Sequence, residues 1–345
     1  MAAESPKPAD AGGLTVAVTG PTGDVGRSAV RALERCDQVG RIVGMARRPF
    51  DPAEHGWTRT EYRRGDILER SSVAGLVAEA DVVVHLAFII FGDHDEAHRV
   101  NLEGSRNVFE ATAAAGAKRL VYTSSVAAYG FHADNPDLLH EDIPARGSEG
   151  FYYSAHKAEL ETLLERSLAG SATQAYVLRP CIVAGADAPT LVTMMSGTGV
   201  SAALAPILRA LDRLPVLRPV IPDPGLPMQL VHHDDVAAAI VAAVTGRGEP
   251  GVYNLAAPDR LTASDLAREM GWASVPVPPS AVRALSAAVE RMPFTPAIAE
   301  WMTALRKPVL MDCEKAEREL GLSEWRSSAE TLRETVVVGR ERGLI

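Results

Sequence analysis

One short segment near the start of the chain constrains the fold more than any other. The apolar, β-branched run at residues 14–19 is followed at once by glycines at positions 20, 23 and 26. Glycines at this spacing allow a tight turn, close approach of the backbone to a pyrophosphate, and close packing of the next helix on the strand. The N-terminus of that helix offers unpaired N–H groups and a favourable dipole to phosphate. The segment therefore predicts a strand, loop and helix that bind a dinucleotide.

Strand-like and helix-like segments alternate through the first half of the chain. Strands are predicted at residues 14–19, 41–46, 60–63, 81–86, 119–124 and 174–179, and helices at residues 25–35, 71–80, 97–115 and 151–168. Strands that alternate with helices indicate βαβ units. The predicted fold class is therefore α/β, with a doubly wound parallel sheet of the Rossmann type.

The pattern changes after residue 184, because residues 190–227 are rich in leucine, alanine and proline and show no strand period. We expect a smaller, mainly helical C-terminal cap that binds the substrate. The predicted divisions are a disordered tail (residues 1–13), a dinucleotide-binding core (14–184) and a region that is mainly cap (185–345), with segments around 228–257 returning to the core.

Composition excludes several other classes of function. The 345 residues include 35 basic and 44 acidic side chains, a net charge of −9, whereas nucleic-acid binding requires clustered lysine and arginine. The three cysteines, Cys36, Cys181 and Cys313, show neither a zinc spacing nor a disulfide framework. The longest apolar runs have about ten residues, short of the roughly 20 that span a bilayer. We expect a cytoplasmic protein with no nucleic-acid or membrane partner.

Further motifs follow the glycine loop in a fixed order. They are Gly65-Asp66-Ile67, Val84-His85-Leu86-Ala87, Asn101-Leu102-Glu103-Gly104, Tyr122-Thr123-Ser124-Ser125, Tyr153-Ser154-Ala155-His156-Lys157, Leu178-Arg179-Pro180, and residues 231–236 and 251–255. With this ordered set, the chain resembles the extended short-chain dehydrogenase/reductase family, of the NAD-dependent epimerase/dehydratase type. The resemblance implies an NAD(P)-dependent enzyme and, by analogy with family members, a homodimer.

The resemblance also implies which residues contact the cofactor. The expected contacts are Gly20, Thr22, Gly23, Asp24, Val25, Arg47, Arg48, Asp66, Ile67, Leu86, Ala87, Tyr153, Lys157 and Pro180. The end of the second strand bears on the choice of cofactor, since NAD-binding proteins usually place an acidic residue there and NADP-binding proteins an arginine. Here Ala46 takes that position and two arginines follow, of which Arg47 is the better candidate for the 2′-phosphate. NADP(H) is favoured, with NAD(H) as the alternative if the arginines lie in a solvated loop.

Tyr153 and Lys157 are four residues apart and so share one face of a helix. A nearby ammonium and an oxidised nicotinamide both favour the phenolate and lower the tyrosine pKa from about 10. Tyr153 can then protonate a carbonyl or deprotonate an alcohol. The resemblance implies that Lys157 also binds the nicotinamide ribose and that Ser125 orients the substrate oxygen. Two roles stay open for Asn101: it either makes a structural hydrogen bond or holds a proton-relay water near the lysine.

Neighbouring side chains offer weaker candidates. Tyr152 has His156 rather than a lysine four residues on, so we expect Tyr152 to pack in the core or line the substrate, and His156 to lie on the helix surface. His85 follows a buried strand and either packs in the core or contacts the cofactor. The run from His232 to Asp235 looks like a metal cluster, but the family match makes it a strand entering a helix. We therefore expect no metal site.

Two differences from family patterns narrow the reaction. Dehydratases of the family carry an acidic pair just after the serine, where this chain has Val126 and Ala127. Sugar-nucleotide epimerases hold a diphosphate at positions that here are Ile182 and Met228, which offer no charge-assisted donor. The cap adds apolar candidates for a substrate wall, together with three arginines that could bind an anion. They are Leu191, Val192, Met194, Met195, Leu204, Ile207, Leu208, Leu211 and Leu214, and Arg209, Arg213 and Arg218.

These observations predict an NADP-dependent oxidoreductase that transfers hydride to or from a carbonyl or alcohol of a hydrophobic small molecule. Two alternatives stay open at this point. One is a sugar-nucleotide epimerase with tightly bound NAD, and the other is a dinucleotide-binding sensor that catalyses no reaction.

Overall fold

A seven-stranded parallel sheet forms the centre of the protein. The computed structural model describes residues 12–90, 93–195, 219–278 and 308–345. The strands of the sheet are β1 (Leu14–Thr19), β2 (Val39–Ala46), β3 (Thr60–Arg64), β4 (Val82–His85), β5 (Arg119–Thr123), β6 (Gln174–Pro180) and β10 (Gly251–Leu255). Their spatial order is β10-β6-β5-β4-β1-β2-β3. Every neighbouring pair is parallel.

The order of the strands places a ligand crevice at one edge of the sheet. The chain runs from β1 outward to β3 and then returns to add β4 on the other side of β1. At such a switch point, the loops after the two central strands separate, and ligands bind beyond the carboxyl ends of the strands. The glycine loop follows β1, and the segment beginning at Leu86 follows β4. The predicted Rossmann-type fold class is confirmed.

Helices cover both faces of the sheet because the buried strands are apolar on both sides. They are α1 (Asp24–Glu34), α2 (Arg70–Val77), α3 (His94–His98), α4 (Ser105–Ala114), α5 (Tyr152–Leu168), α6 (Thr190–Met195), α7 (His233–Thr245), α8 (Ala263–Met270) and α9 (Ser328–Glu341). On one face, α1 and α7 contribute apolar residues such as Leu33 and Ile240 to a single cluster. On the other face, α2, α4 and α5 contribute residues such as Leu76, Phe109 and Leu160.

The predicted helix at 97–115 differs from the structure in its form. Helical structure begins earlier, with α3, passes through a π-helical segment at Arg99–Gly104 and continues as α4. Asp93 caps α3, because its carboxylate accepts the backbone N–H of Glu96 at 2.9 Å. A π-helical segment inside a helix often marks a functional site, and this one contains Asn101.

Among the residues that the structure describes after position 180, two small parallel sheets form and one strand joins the main sheet. β7 (Ile182–Ala184) pairs with β9 (Leu230–His232), and β8 (Val220–Asp223) pairs with β11 (Ala273–Pro276). The division at residue 184 and the substrate-binding cap stay predictions. The apolar cap positions from Leu204 to Leu214, and Arg209, Arg213 and Arg218, lie outside the described residues. Among the helices that the structure describes, none is long and apolar enough to cross a membrane.

Candidate active site

Two of the three loop glycines are required by the backbone alone. Gly20 has a φ of +73°, and a Cβ there would lie 2.9 Å from the backbone nitrogen of Ala87. A Cβ on Gly26 would lie 2.1 Å from the carbonyl oxygen of Gly20. These positions bring the loop against the segment after β4 and bring α1 against the loop. Neither position has room for a side chain.

Gly23 is different because it is exposed and a side chain there would meet no close atom. A Cβ there would meet only the carbonyl oxygen of Gly20, at an ordinary 3.6 Å. Gly23 is also the N-cap of α1, and no side chain caps this helix start. An uncapped helix N-terminus that begins at an exposed glycine fits the pyrophosphate of a dinucleotide. The residues present therefore fit the cofactor that the loop predicts.

The other expected contacts lie around this crevice. The backbone nitrogens of Leu86 and Ala87 approach Thr19, at 3.1 Å from its carbonyl oxygen and 3.3 Å from its hydroxyl oxygen respectively. Asp66 turns the chain after β3 by accepting the N–H of Leu68 at 3.0 Å. The remaining members are Thr22 and Val25, which are half-buried, Asp24, which accepts a hydrogen bond from Thr190, and Ile67 and Pro180, which are buried.

The two arginines after β2 are exposed. Arg47 donates to the carboxylate of Glu96 at 3.0 Å, with about half of each side chain accessible to solvent. An exposed ion pair of this kind contributes only about 0–1 kcal/mol, so Arg47 can exchange Glu96 for another anion at little cost. Arg48 is held by its backbone, since its carbonyl oxygen accepts the hydroxyl of Tyr62.

Ser125 and Tyr153 meet at the end of β5. The backbone of Ser125 is extended, and its hydroxyl oxygen accepts the N–H of Ala127 at 3.2 Å, which starts a short 3₁₀ turn. This bond leaves the Ser125 O–H free to act as a donor, and Ser125 hydrogen-bonds the Tyr153 phenol. Burial raises the pKa of Tyr153 above its ordinary value, and the Ser125 hydrogen bond partly opposes that shift.

Lys157, one helical turn after Tyr153, is buried. Its ammonium donates to the carbonyl oxygen of Thr123 at 2.9 Å and lies 3.9 Å from the centre of the Phe88 ring. Burial lowers the pKa of Lys157 to about 7, although the nearby Glu161 carboxylate opposes the shift. The ammonium lies 6.0 Å from the centre of the Tyr153 ring. The expected lowering of the tyrosine pKa by this lysine is therefore not seen, because burial dominates at both groups.

A buried ion pair behind Lys157 was missed by the sequence analysis. Glu161 accepts two hydrogen bonds from Arg179, at 3.0 and 2.5 Å, and one from Ser124 at 2.5 Å. The same guanidinium lies 4.3 Å from the centre of the Tyr129 ring. Glu161 stands four residues after Lys157 on α5, a spacing that could have drawn attention to it. This assignment of Ser124 leaves Ser125 as the serine facing Tyr153.

Asn101 and Phe88 shape the segment after β4. The Asn101 amide is fully buried, and it accepts the N–H of Ile89 at 2.8 Å and donates to the Ile89 carbonyl oxygen at 3.0 Å. The oxygen and the nitrogen of the Asn101 amide are thus both used to hold this segment. This favours the structural role for Asn101 over the proton-relay role. The adjacent Phe88 lies against Lys157 and packs edge-on against Tyr153, with ring centres 5.6 Å apart. The sequence analysis did not single out Phe88.

The histidines divide into distinct environments. His85 is buried and both of its ring nitrogens pair with hydroxyls, Thr19 at 2.7 Å and Ser105 at 2.8 Å. Burial lowers the pKa of His85 to about 3, so it is a neutral core residue. His156, expected on the helix surface, is only 8 % exposed.

His232, His233 and Asp234 do lie close together, with candidate ligand atoms within 4.8 Å of one another. His232 ends β9 and caps α7, where its ring accepts the N–H of Asp234 at 3.1 Å. The Asp234 carboxylate pairs with Arg326 at 3.0 Å and with Arg31 at 2.8 Å. These guanidinium groups already supply the positive charge that a metal ion would bring, and the local role is to connect α7 with α1 and the C-terminal region.

Comparison with known proteins identifies the class. Residues 16–256 match the NAD dependent epimerase/dehydratase family, and the chain belongs to that family. This confirms the resemblance to the extended short-chain dehydrogenases/reductases and the expectation of an NAD(P)-dependent enzyme.

Individual relatives are distant. The uncharacterized protein y4nG of Sinorhizobium fredii is 26 % identical over 332 residues, covering 93 % of this chain and 77 % of y4nG. Human 3 beta-hydroxysteroid dehydrogenase type 7 is 33 % identical over 161 residues, covering 44 % of each chain. The crystal structure of UDP-glucuronic acid 4-epimerase from Bacillus cereus in complex with NAD superposes with a TM-score of 0.70 at 18 % identity, covering 95 % of this chain and 99 % of the epimerase. The last likeness is one of fold.

Proposed function

We propose that this protein is an NADP-dependent oxidoreductase that transfers hydride to or from a carbonyl or alcohol of a hydrophobic small molecule. The observation that carries the proposal is the arrangement at the carboxyl end of β5, where Ser125 hydrogen-bonds Tyr153 and the Lys157 ammonium is anchored on the Thr123 carbonyl against the Phe88 ring. The bound cofactor supplies or accepts the hydride. The side chains of this protein place the substrate oxygen and move its proton.

Tyr153 acts as the proton donor in the reducing direction. Its raised pKa keeps the phenol protonated at neutral pH, so a proton is available when negative charge develops on the substrate oxygen. The Ser125 hydroxyl has a single O–H to donate. In the free protein it interacts with the Tyr153 phenol, and with substrate bound it donates instead to the substrate oxygen, where it stabilises the developing negative charge. In the oxidising direction the same groups work in reverse.

Lys157 holds the nicotinamide ribose and changes its charge in the working pH range. Its ammonium is anchored by the Thr123 carbonyl, and Glu161 lies four residues further along the helix. In this proposal the positive charges of Lys157 and of the oxidised nicotinamide together favour the phenolate of Tyr153, an effect that burial outweighs in the free protein. Asn101 is a positioning residue in this proposal, since it fixes Ile89 next to Phe88.

Apolar surroundings favour a hydrophobic substrate. Tyr153 is flanked by the rings of Phe88 and Phe151, with centres 5.6 and 5.9 Å away. Val126, directly after Ser125, carries no group that could transfer a proton to a substrate. Ile182 is apolar and 41 % exposed, so it offers an apolar surface rather than a charged donor. The partial match to a human hydroxysteroid dehydrogenase supports this substrate class.

Arg47 is the proposed ligand for the 2′-phosphate of NADP. It follows Ala46 at the end of β2, where a carboxylate would repel that phosphate, and its exposed pair with Glu96 is readily exchanged. NADPH should therefore have a lower KM than NADH, and Arg47→Ala should raise the KM for NADPH by about tenfold or more while leaving that for NADH nearly unchanged.

The test is an assay of the purified protein with NADPH or NADH against a panel of hydrophobic ketones and aldehydes, with UDP-sugars as a second panel. Turnover of an apolar carbonyl with NADPH supports the proposal. Tightly copurified NAD together with epimerisation of a UDP-sugar would replace it with the epimerase alternative. Cofactor binding with no turnover in either panel would favour a sensor.

A further inference from the structure

A cavity of about 270 Å³ lies against α1 and shares no residue with the expected cofactor contacts. Its lining comes from α1, from the chain between β2 and β3, from the segment after β7 and from the residue that follows α9. The members are Arg27, Arg31, His55, Trp57, Asp187 and Arg342. The volume is several times the roughly 30 Å³ that one water molecule takes in the liquid, so the cavity has room for a small organic molecule.

The lining carries three guanidinium groups and only one carboxylate. That carboxylate, Asp187, is held by Arg31 at 2.5 Å, and Arg31 also reaches Asp234 outside the cavity at 2.8 Å. Burial opposes ionisation of Asp187, but the Arg31 hydrogen bond and the surrounding charges lower its pKa overall. Arg27 and Arg342 are exposed, and neither makes an ion pair with a residue that the structure describes. The cavity therefore keeps an excess of positive charge.

The spacing of two of these arginines adds to that excess. Arg27 and Arg31 are four residues apart on α1 and so share one face of the helix, where like charges repel each other. An anion between them offsets this repulsion. The planar guanidinium group matches the oxygens of phosphate and carboxylate and can donate two parallel hydrogen bonds to them. The charge of the lining thus favours an anionic ligand over a neutral one or a cation.

Aromatic side chains supply another part of the lining. The ring of His55 stacks on the ring of Trp57 with centres 4.9 Å apart, and on the ring of Phe50 at the same distance. The flat rings of organic ligands stack on aromatic side chains of this kind. The lining therefore suits a ligand that carries a flat ring next to its anionic group.

We propose that this cavity binds a phosphate monoester of a flat ring compound, with Arg27, Arg31 and Arg342 around the phosphate and His55 and Trp57 against the ring. A phosphate monoester carries about −1.5 to −2 charges at pH 7, which suits the two arginines that have no ion-pair partner among the described residues. The ligand contacts α1, the chain before β3 and the end of α9, so its binding stabilises the folded protein. The site takes no part in the proposed hydride transfer.

The test uses phenyl phosphate and inorganic phosphate as probes. Each is titrated by calorimetry into protein saturated with NADPH and, in a parallel series, with NADH, so that bound cofactor keeps the probe away from the glycine loop and Arg47. Phenyl phosphate should bind once per chain with a dissociation constant below about 1 mM and should raise the thermal midpoint. Inorganic phosphate should bind more weakly, because it has no ring to stack.

Arg27→Ala and Arg342→Ala should each weaken binding of both probes by about tenfold, because each removes a charge-assisted contact. His55→Ala should weaken binding of phenyl phosphate alone. All three side chains are exposed, so these variants should fold normally. Arg35→Ala, at the end of α1, and Arg333→Ala, on α9, are the matched controls. They remove other exposed arginines and should leave both affinities unchanged.

Equal weakening by the control variants would assign the effect to general surface charge and would overturn the proposal. Loss of binding in Arg47→Ala with full binding in Arg27→Ala would place the anion in the cofactor crevice and overturn it equally. Absence of saturable binding to the parent protein below about 10 mM, or equal affinities for the two probes, would also contradict it. No carbonyl or alcohol substrate is added, so the outcome is separate from that of the activity assays.

Discussion

Helix α5 carries two tyrosine pairs of the same spacing, offset by a single residue. Tyr153 with Lys157 faces the sheet edge, where Thr123, Ser125 and Glu161 supply donors, acceptors and charge. Tyr152 with His156 faces α3, where the Tyr152 hydroxyl donates to the carbonyl of Ile90 and the imidazole meets another imidazole. Identical spacing thus leads to different chemistry because the partners come from distant parts of the chain.

The largest expected difference between the pairs is in turnover. Tyr153→Phe removes the proposed acid and should lower kcat by about 10²–10⁴-fold, the range of a general acid–base group. The measurement is steady-state kinetics with NADPH and the best carbonyl of the panel. Cofactor binding should persist, which fluorescence of bound NADPH can check. Turnover close to that of the parent protein would remove Tyr153 from the mechanism.

The next largest effect concerns the buried ion pair of Glu161 and Arg179, which lies next to Lys157. Glu161→Gln leaves the buried guanidinium of Arg179 without a counter-charge and should lower the free energy of unfolding by about 3–5 kcal/mol. Urea denaturation measures the change. Glu159→Gln, on the exposed side of α5, is the control and should change stability by less than about 0.5 kcal/mol. Equal losses of stability in the two variants would mean that the buried ion pair contributes no more to folding than an exposed glutamate does.

A smaller effect follows from the lowered pKa of Lys157. The folded state releases its proton near pH 7, whereas the unfolded chain keeps it up to an ordinary value near 10.5. Between these values the unfolded state binds more protons, so this group makes stability rise with pH, by at most about 1.4 kcal/mol per unit. Urea denaturation at pH 7, 8 and 9 should show a steeper rise in the parent protein than in Lys157→Met. Parallel curves would show that Lys157 is charged in the folded state throughout.

The smallest expected effect belongs to the second tyrosine. Tyr152→Phe removes one hydroxyl hydrogen bond to the carbonyl of Ile90 and should lower the free energy of unfolding by about 0.5–1.5 kcal/mol. Turnover should stay near that of the parent protein, since this phenol has no place in the proposed proton transfer. A large loss of kcat with intact stability would reverse the assignment of the two tyrosines.

Local patterns were enough to predict the fold, and they also supplied Tyr153 and Lys157 as site candidates, whose roles stay predictions. The strand, glycine loop and helix are contiguous, and Tyr153 and Lys157 lie on one helix, so no knowledge of distant contacts is needed. The pairing of Glu161 with Arg179 and the approach of Phe88 to Lys157 depend on strands that meet only in the folded sheet. The lowered pKa of Lys157 could not be predicted, because it results from burial by those same distant segments.

The contacts of the histidines could not be predicted from local sequence either. His98 and His156 are 58 positions apart, and nothing in either local sequence indicates that their rings meet. His85 follows its strand with no local sign that Thr19 and Ser105 will satisfy both of its nitrogens. One of the two alternatives for Asn101 became favoured only when its contacts with Ile89 were visible.

The glycine loop has a consequence for how this chain tolerates mutation. In a saturation library, folding alone should restrict Gly20 and Gly26 to the parent residue, since a Cβ at either meets backbone atoms at 2.9 and 2.1 Å. Gly23 has an ordinary negative φ, and a Cβ there would meet no atom closer than 3.6 Å. Alanine there should survive a screen for folded protein and disappear from a screen for cofactor binding. Within seven residues, one loop thus separates the sequence requirements of the scaffold from those of the ligand.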